Sequence, residues 1–259
     1  MAQHMTQEQN RVHTMQQLLS AGEDKSWKVR LCFARNFAHF TKAFGKEITD
    51  HNLIQTFNLL LNDSEPEVKN AAINSLSKSL INISTEKICN MLLPTLISQY
   101  VDSQPAFRAS TALALCEMAP IVGKDLCQQK VLPILQELLK DDSSDVRLNV
   151  AQNIVKLATV VGEEVLSPAL IVLLQNATKD QHWRVRMAVF ETVGELAVKF
   201  GKDAYNKHLD ALFCSFLTNT AAAVREMGIQ KSEAIAKAFG SAWIAESFVP
   251  KVVKTFEED

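Results

Sequence analysis

Along residues 182–200 the apolar residues Val185, Ala188, Val189, Val193, Leu196, Ala197 and Phe200 recur at steps of three and four. That spacing puts them on one face of a helix, with the polar residues between them on the other. The pattern is not local. Its opening pair, apolar then basic, is Val185-Arg186, and it recurs at Val29-Arg30, Val68-Lys69, Phe107-Arg108, Val146-Arg147 and Val224-Arg225, each 39 residues from the next. Six copies without a slip mark an internal repeat.

Other positions keep the same register. Five residues before each anchor stand Asp24, Asp63, Asp102, Asp141, Asp180 and Asn219. Sixteen after it stand Gly45, Ser84, Gly123, Gly162, Gly201 and Gly240, so five of the eight glycines share one repeat position. Pro94, Pro133 and Pro250 share another. Each unit therefore reads as two helices. The second runs from just before the anchor to the glycine, which is expected to act as a left-handed C-cap. Pro66 and Pro105 fall in the first turn, where no backbone donor is lost. The first helices are expected over 51–61, 86–100, 125–139, 164–177, 203–217 and 242–256, joined to the second by polar turns such as NDSE, KDDSS and TKDQ.

Sustained period-two alternation is missing, and Asn-Gly turns with it, which argues against strands. The expected fold is all-α, an α-α superhelix of about six 39-residue hairpins plus a partial repeat, in which each hairpin buries its apolar face only by stacking on its neighbours. Residues 1–9 read as a tag or a disordered N-terminus, and 10–259 as a single array open at its C-terminal end. The last segment, ESFVPKVVKTFEED, reads as the first half of a further unit, so the chain looks like a piece of a longer array. Its Phe248, Val249, Val252 and Phe256 then form an uncovered end, and self-association there is expected.

Composition narrows the function. Net charge is −2 and the pI about 6.3, whereas nucleic-acid binders usually carry a basic stripe. No apolar run reaches the length of a membrane span, and MAQHMTQEQN lacks the core of a signal peptide. The five cysteines, Cys32, Cys89, Cys116, Cys127 and Cys214, form no CxxC pair and lie mostly in apolar runs. Reduced, packed thiols in a cytoplasmic protein, or one also found in the nucleus, are the expectation.

Proline in the first helix, Asp in the turn and Val-Arg opening the second helix resemble the HEAT repeat, over nearly all of 10–259. The resemblance implies a ladder between neighbouring repeats. It would join Asp24, Asp63, Asp102, Asp141 and Asp180 with Arg30, Lys69, Arg108, Arg147, Arg186 and Arg225, weakened where Asn219 interrupts the acidic series. The segments EDKSWKVR, PEVKNAA, SSDVRLNV, HWRVRMAV and FGSAWIAESFVPKV are, more closely, similar to the scaffold (A) subunits of protein phosphatase 2A. That resemblance implies a non-catalytic scaffold. It would hold a phosphatase catalytic subunit and a variable regulatory B-type subunit on the ridge of turns inside the repeats. Trp183 and Arg184 would face the catalytic subunit, and Trp27 and Lys28 the regulatory side, with Asp145 on the same ridge. Lys28 stands where that family has Arg, which removes a planar bidentate contact, and Ala222 stands where a large aromatic is expected. Trp183 should be exposed at the start of its helix.

Other chemistry finds little footing. Gly45-Lys46, Gly123-Lys124 and Gly201-Lys202 lack the remaining residues of a phosphate loop and sit at helix C-termini, where the dipole repels anions. His4, His13, His39, His51, His182 and His208 form no HExxH and no metal-ligand cluster with cysteine. The acid pairs Asp141-Asp142, Glu163-Glu164 and Glu257-Glu258 read as turn or tail charge. No enzyme, cofactor or metal is expected. The alternatives are another HEAT-type binding protein, either a nuclear-import carrier or a tubulin-binding array. Import carriers have less regular repeats, and a tubulin binder should show basic turns where this chain has Asp63, Glu65, Glu67, Asp102, Asp141, Asp142 and Asp145.

Overall fold

The computed structural model describes residues 14–102 and 104–257; the segment 1–9 and His4 and His13 lie outside them. The chain is all-helical, 85% helix with no strand among the described residues. It forms two compact units that meet between Leu126 and Cys127. In the first unit the major helices are α1 (Met15–Gly22), α2 (Trp27–Ile48, kinked at Gly45), α3 (Ile54–Leu61), α4 (Pro66–Ser79), α5 (Leu93–Gln99) and α6 (Pro105–Val122). In the second they are α7 (Leu132–Leu138), α8 (Ser144–Val161), α9 (Pro168–Ala177), α10 (Trp183–Ala204, kinked at Gly201), α11 (Asp210–Cys214), α12 (Ala222–Phe239) and α13 (Val249–Glu257).

Within each unit, second helices pack on second helices: α4 between α2 and α6, and α10 between α8 and α12. The anchors Val68, Phe107, Val146, Val185 and Val224 are all buried. Val29 departs from them at 37% exposure, because no repeat precedes it among the described residues to cover it. In the first unit Phe37 stacks on Phe57 with ring centroids 3.7 Å apart, joining α2 to α3. In the second, Tyr205 meets Phe213, Phe239 and Trp243 edge to face, the geometry that aromatic quadrupoles prefer.

Three expectations need correction. The repeat glycine is not a left-handed cap. Such a cap would hold ψ near about +47°, but Gly201 has φ 83° and ψ −175°, the mirror image of extended backbone and essentially restricted to glycine. This conformation bends the chain once, so that the next helix resumes at the following residue without a loop. Ser84 cannot follow and adopts φ −71°, ψ 149°. Its preceding helix instead ends in a 3₁₀ turn at Leu80–Asn82, and the Ser84 hydroxyl accepts from the Lys87 backbone N–H at 3.3 Å to start the next helix.

The second correction concerns 164–177, where the helix proper starts at Pro168. The other first helices each carry one widened π turn, at Thr49–Leu53, Ile88–Leu92, Cys127–Val131, Tyr205–Leu209 and Ile244–Phe248, all in repeat register. Pro168 occupies the third position of that turn. It has no N–H to donate across it, so the helix restarts there, with Ser167 Oγ accepting from the Leu170 N–H.

The third concerns the thiols. Cys116 and Cys127 are buried, but Cys32 is exposed on α2. Burial pushes the Cys127 thiol up to about 11. No helix of the described residues is long and apolar enough to cross a membrane. On α13, Val249 and Val253 are exposed; the Phe256 side chain lies outside the described ones.

Candidate functional site

The ridge is built by one local device repeated in every turn. The N-cap residues Ser26, Glu65, Gln104, Ser143, His182 and Ala221 have extended backbone and no side-chain cap of their own. Two residues upstream an Asx side chain accepts each of their N–H groups: Asp24, Asp63, Asp102, Asp141, Asp180 and Asn219, at 2.7–3.1 Å. These Asx turns hold the chain extended into the helix and fix which residue comes first. The first residues are Trp27, Pro66, Pro105, Ser144, Trp183 and Ala222, so the ridge positions are the starts of the second helices.

The helix-opening base ties each turn to the next. Arg30 Nη1 donates to the Asp24 carbonyl at 2.8 Å, while Nε and Nη2 donate to the Asp63 carboxylate at 2.7 and 2.8 Å. Arg147 does the same with the Asp141 carbonyl and the Asp180 carboxylate. Lys69 has no fork; its ammonium donates to Asp102 at 2.8 Å and lies 4.4 Å from the centre of the Phe107 ring. Arg186 reaches Asn219 Oδ1 at 3.2 Å. Arg108 and Arg225 hold the carbonyls of Asp102 and Asn219 in their own turns. Burial alone would raise the Asp63, Asp102 and Asp180 carboxyls. The hydrogen bonds from Arg30, Lys69 and Arg147, the turn N–H groups and the cationic charge outweigh it and hold all three below the usual carboxylate range.

On this frame Trp183 stands out at 42% exposure. The Arg184 guanidinium lies 5.5 Å from its ring centre, a cation–π contact that pre-orients both groups. A cleft of about 90 Å³ opens beside them between the starts of α8 and α10, lined by Ser144, Asp145, Leu148, His182, Trp183, Arg184 and Val185. A large aromatic, a planar cation and the exposed Asp145 carboxylate therefore converge within one notch of the second unit. In the first unit, Trp27 is half-buried and Lys28 exposed, the ammonium 5.9 Å from the ring centre. Such a notch can bind a partner's side chain. Among the described residues no group of three His, Cys, Asp or Glu is placed to hold a metal.

Sequence reasoning missed the Asx-turn role, although the invariant spacing of Asp to helix start contained it. It also missed Leu148 as a wall of the cleft, because a leucine carries no chemical signature.

The family model for HEAT repeats matches residues 53–155 and 93–194, together more than half of the chain. No curated protein matches at the sequence level. Among solved structures, the chain is similar to Kap121p, with a TM-score of 0.75 and 18% identity over 98% of this chain and 26% of that one. It thus spans about a quarter of that relative's length. Cex1p gives a TM-score of 0.67, with 14% identity over 94% of this chain and 43% of that one. A designed armadillo repeat protein in complex with the peptide (KR)4 gives 0.61, with 16% identity over 86% and 99%. At these identities the likenesses concern the fold alone, one that is typically non-catalytic. The matched repeats, their fixed register and the Asx–base ladder place this chain in the HEAT-repeat family.

Proposed function

We propose that the chain is a non-catalytic scaffold that binds and orients the catalytic and variable regulatory subunits of a phosphatase of the protein phosphatase 2A type. The observation that carries this reading is the Trp183–Arg184 pair, exposed at the start of α10 with Asp145 beside it. Tryptophan and arginine are the residues most enriched at interface hot spots, where truncation costs about 2 kcal/mol or more. A folded protein holds such a pair in solvent at no benefit to its own core. Trp183, Arg184 and Asp145 would take the catalytic subunit, and Trp27 and Lys28 the regulatory subunit. Repeat arrays of this shape class take protein segments as ligands: Kap121p has been crystallised with the extreme C-terminus of the protein phosphatase Cdc14p, and the designed armadillo protein with (KR)4.

The test is capture of the phosphatase catalytic subunit by the immobilised chain, compared with the Trp183→Ala/Arg184→Ala variant. Capture by the parent and clear loss in the variant supports the scaffold. A well-folded parent that captures nothing refutes it. A second reading, a transport carrier, is favoured by the likeness to Kap121p over 98% of the chain. Retention of a basic import-signal peptide in place of the phosphatase would select it.

A further inference from the structure

The second unit closes the face between its second helices with its own charges. Lys231 on α12 lies 3.5 Å from Glu191 and 2.9 Å from Glu195 on α10. Lys231 is seven residues past its anchor Val224, and the two glutamates are six and ten past Val185. The same register in the first unit holds Ser75 on α4 against Arg35 and His39 on α2. The bridging lysine has become a buried serine, and both acids have become bases.

The result is an open groove of about 700 Å³ between α2 and α4, where Arg35, His39 and Lys42 of α2 line one side and Asn70, Asn74 and Lys78 of α4 the other. Arg35, Lys42 and Lys78 are exposed, and among the described residues none of them has an ion pair. The ladder bases Arg30, Lys69 and Arg147, by contrast, are all paired. The side-chain amides of Asn70 and Asn74 likewise have no hydrogen bond within the described residues. They sit one turn apart, about 6 Å along the helix, close to the roughly 6.6 Å between alternate residues of an extended chain. A side-chain amide offers a donor and an acceptor together, which is what one peptide unit requires.

We propose that this groove binds an extended acidic peptide segment of a partner protein, its carboxylates on Arg35, Lys42 and Lys78 and its backbone on Asn70 and Asn74. The groove shares no residue with the ridge cleft, and the proposal does not depend on the ridge's partner. A nucleic acid fits less well. Glu67 also lines the groove and opposes the acidic groups of either ligand at that end, but a phosphate only accepts hydrogen bonds, whereas the paired amides offer donors and acceptors together, as a peptide unit requires.

The experiment is fluorescence anisotropy of a labelled peptide of alternating Glu and Ser, titrated with the full chain, beside its Lys–Ser counterpart. The acidic peptide should bind saturably and more weakly as salt rises, and the basic one should not bind. Arg35→Glu with Lys78→Glu should weaken binding by about tenfold or more through like-charge repulsion. Asn70→Ala with Asn74→Ala should weaken it with the salt dependence unchanged. All four sites lie at the surface, so the helical circular dichroism of the parent should be retained. No saturation, or equal binding by folded variants, overturns the proposal. So does a single-stranded oligonucleotide that binds as tightly as the acidic peptide.

Discussion

Arg147 grips the Asp180 carboxylate with two hydrogen bonds, Nε at 2.6 Å and Nη2 at 3.0 Å. The same carboxylate accepts the His182 N–H at 2.9 Å, so Asp180 both shapes its own turn and receives the preceding repeat. Little of either side chain meets solvent, 15% of Arg147 and 7% of Asp180. Asp180→Ala should therefore strand a largely buried guanidinium and open the turn together. The expected loss is about 2–3 kcal/mol, read from urea unfolding. A loss below half of that would mean the ladder contributes specificity of stacking and little stability.

Asn219 lets the same relationship be tested in the other direction. Its amide oxygen serves the Asx turn, accepting the Ala221 N–H at 3.1 Å, but offers Arg186 a single neutral contact at 3.2 Å. Asn219→Asp keeps the turn and supplies the second oxygen and the charge. It should raise stability by about 0.5–1 kcal/mol, seen as an increase in Tm that shrinks at high salt.

The ladder also sets a pH dependence. Asp63, Asp102 and Asp180 all have folded-state carboxyls below their ordinary range. Their contribution is complete above the unfolded value, about 3.9, and is lost as pH falls through the lower folded values. Stability against pH should be flat from neutral down to about pH 5 and then decline. Asp180→Asn should lie below the parent at pH 7 and converge with it on the acid side. Parallel curves would show that the Arg147–Asp180 pair does not govern the decline.

Much of this was legible because the repeat is strict. One register fixed the anchors, the turn acids, the bases and the glycines, and with them the helix starts that make the ridge. What escaped detection was backbone detail. A widened turn shifts the apolar face by one residue, which a 3.6-residue pattern absorbs, so the π turns left no trace in the sequence. The requirement for glycine at 201 shows in its residue type, but the value of ψ does not, since both positive-φ regions select glycine. The groove between α2 and α4 went unseen for another reason. It arises from what Ser75 fails to do at a position where Lys231 elsewhere makes a bridge, and that contrast needs both helices in place.

Two glycines should respond oppositely to what helix propensity suggests. Gly228 lies inside α12, where alanine is ordinarily better by about 1 kcal/mol. A Cβ there would meet the Phe216 ring at 2.2 Å, and Phe216 is fully buried. Overpacking should win, so Gly228→Ala should destabilise by about 1–3 kcal/mol net. At Gly201 a Cβ meets nothing within 4 Å, yet φ is 83°. Gly201→Ala should cost about 1–3 kcal/mol through backbone strain alone. Pairing Gly228→Ala with Phe216→Leu distinguishes the two causes. It should recover part of the loss at Gly228, whereas no side-chain trimming should rescue Gly201→Ala.

Trp183 and Trp243 give the sharpest contrast, because one residue type occupies two opposite environments. Trp243 is 2% exposed and packs edge to face on Tyr205 and Phe239, with centroids at 5.4 and 4.9 Å. Trp243→Ala should cost about 3–5 kcal/mol. Trp183 is 42% exposed at a helix start, and its contacts are the cleft and Arg184. Trp183→Ala should change stability by no more than about 0.5 kcal/mol, leaving a folded protein in which any lost binding can be assigned to the ridge. Acrylamide quenching supplies an independent reading. Removing Trp183 should take away the most readily quenched part of the emission, and Trp243→Phe the protected part, with the half-buried Trp27 contributing between them. If Trp183→Ala instead lowered Tm as far as Trp243→Ala does, the indole would be holding repeats together and could not serve as a free docking surface.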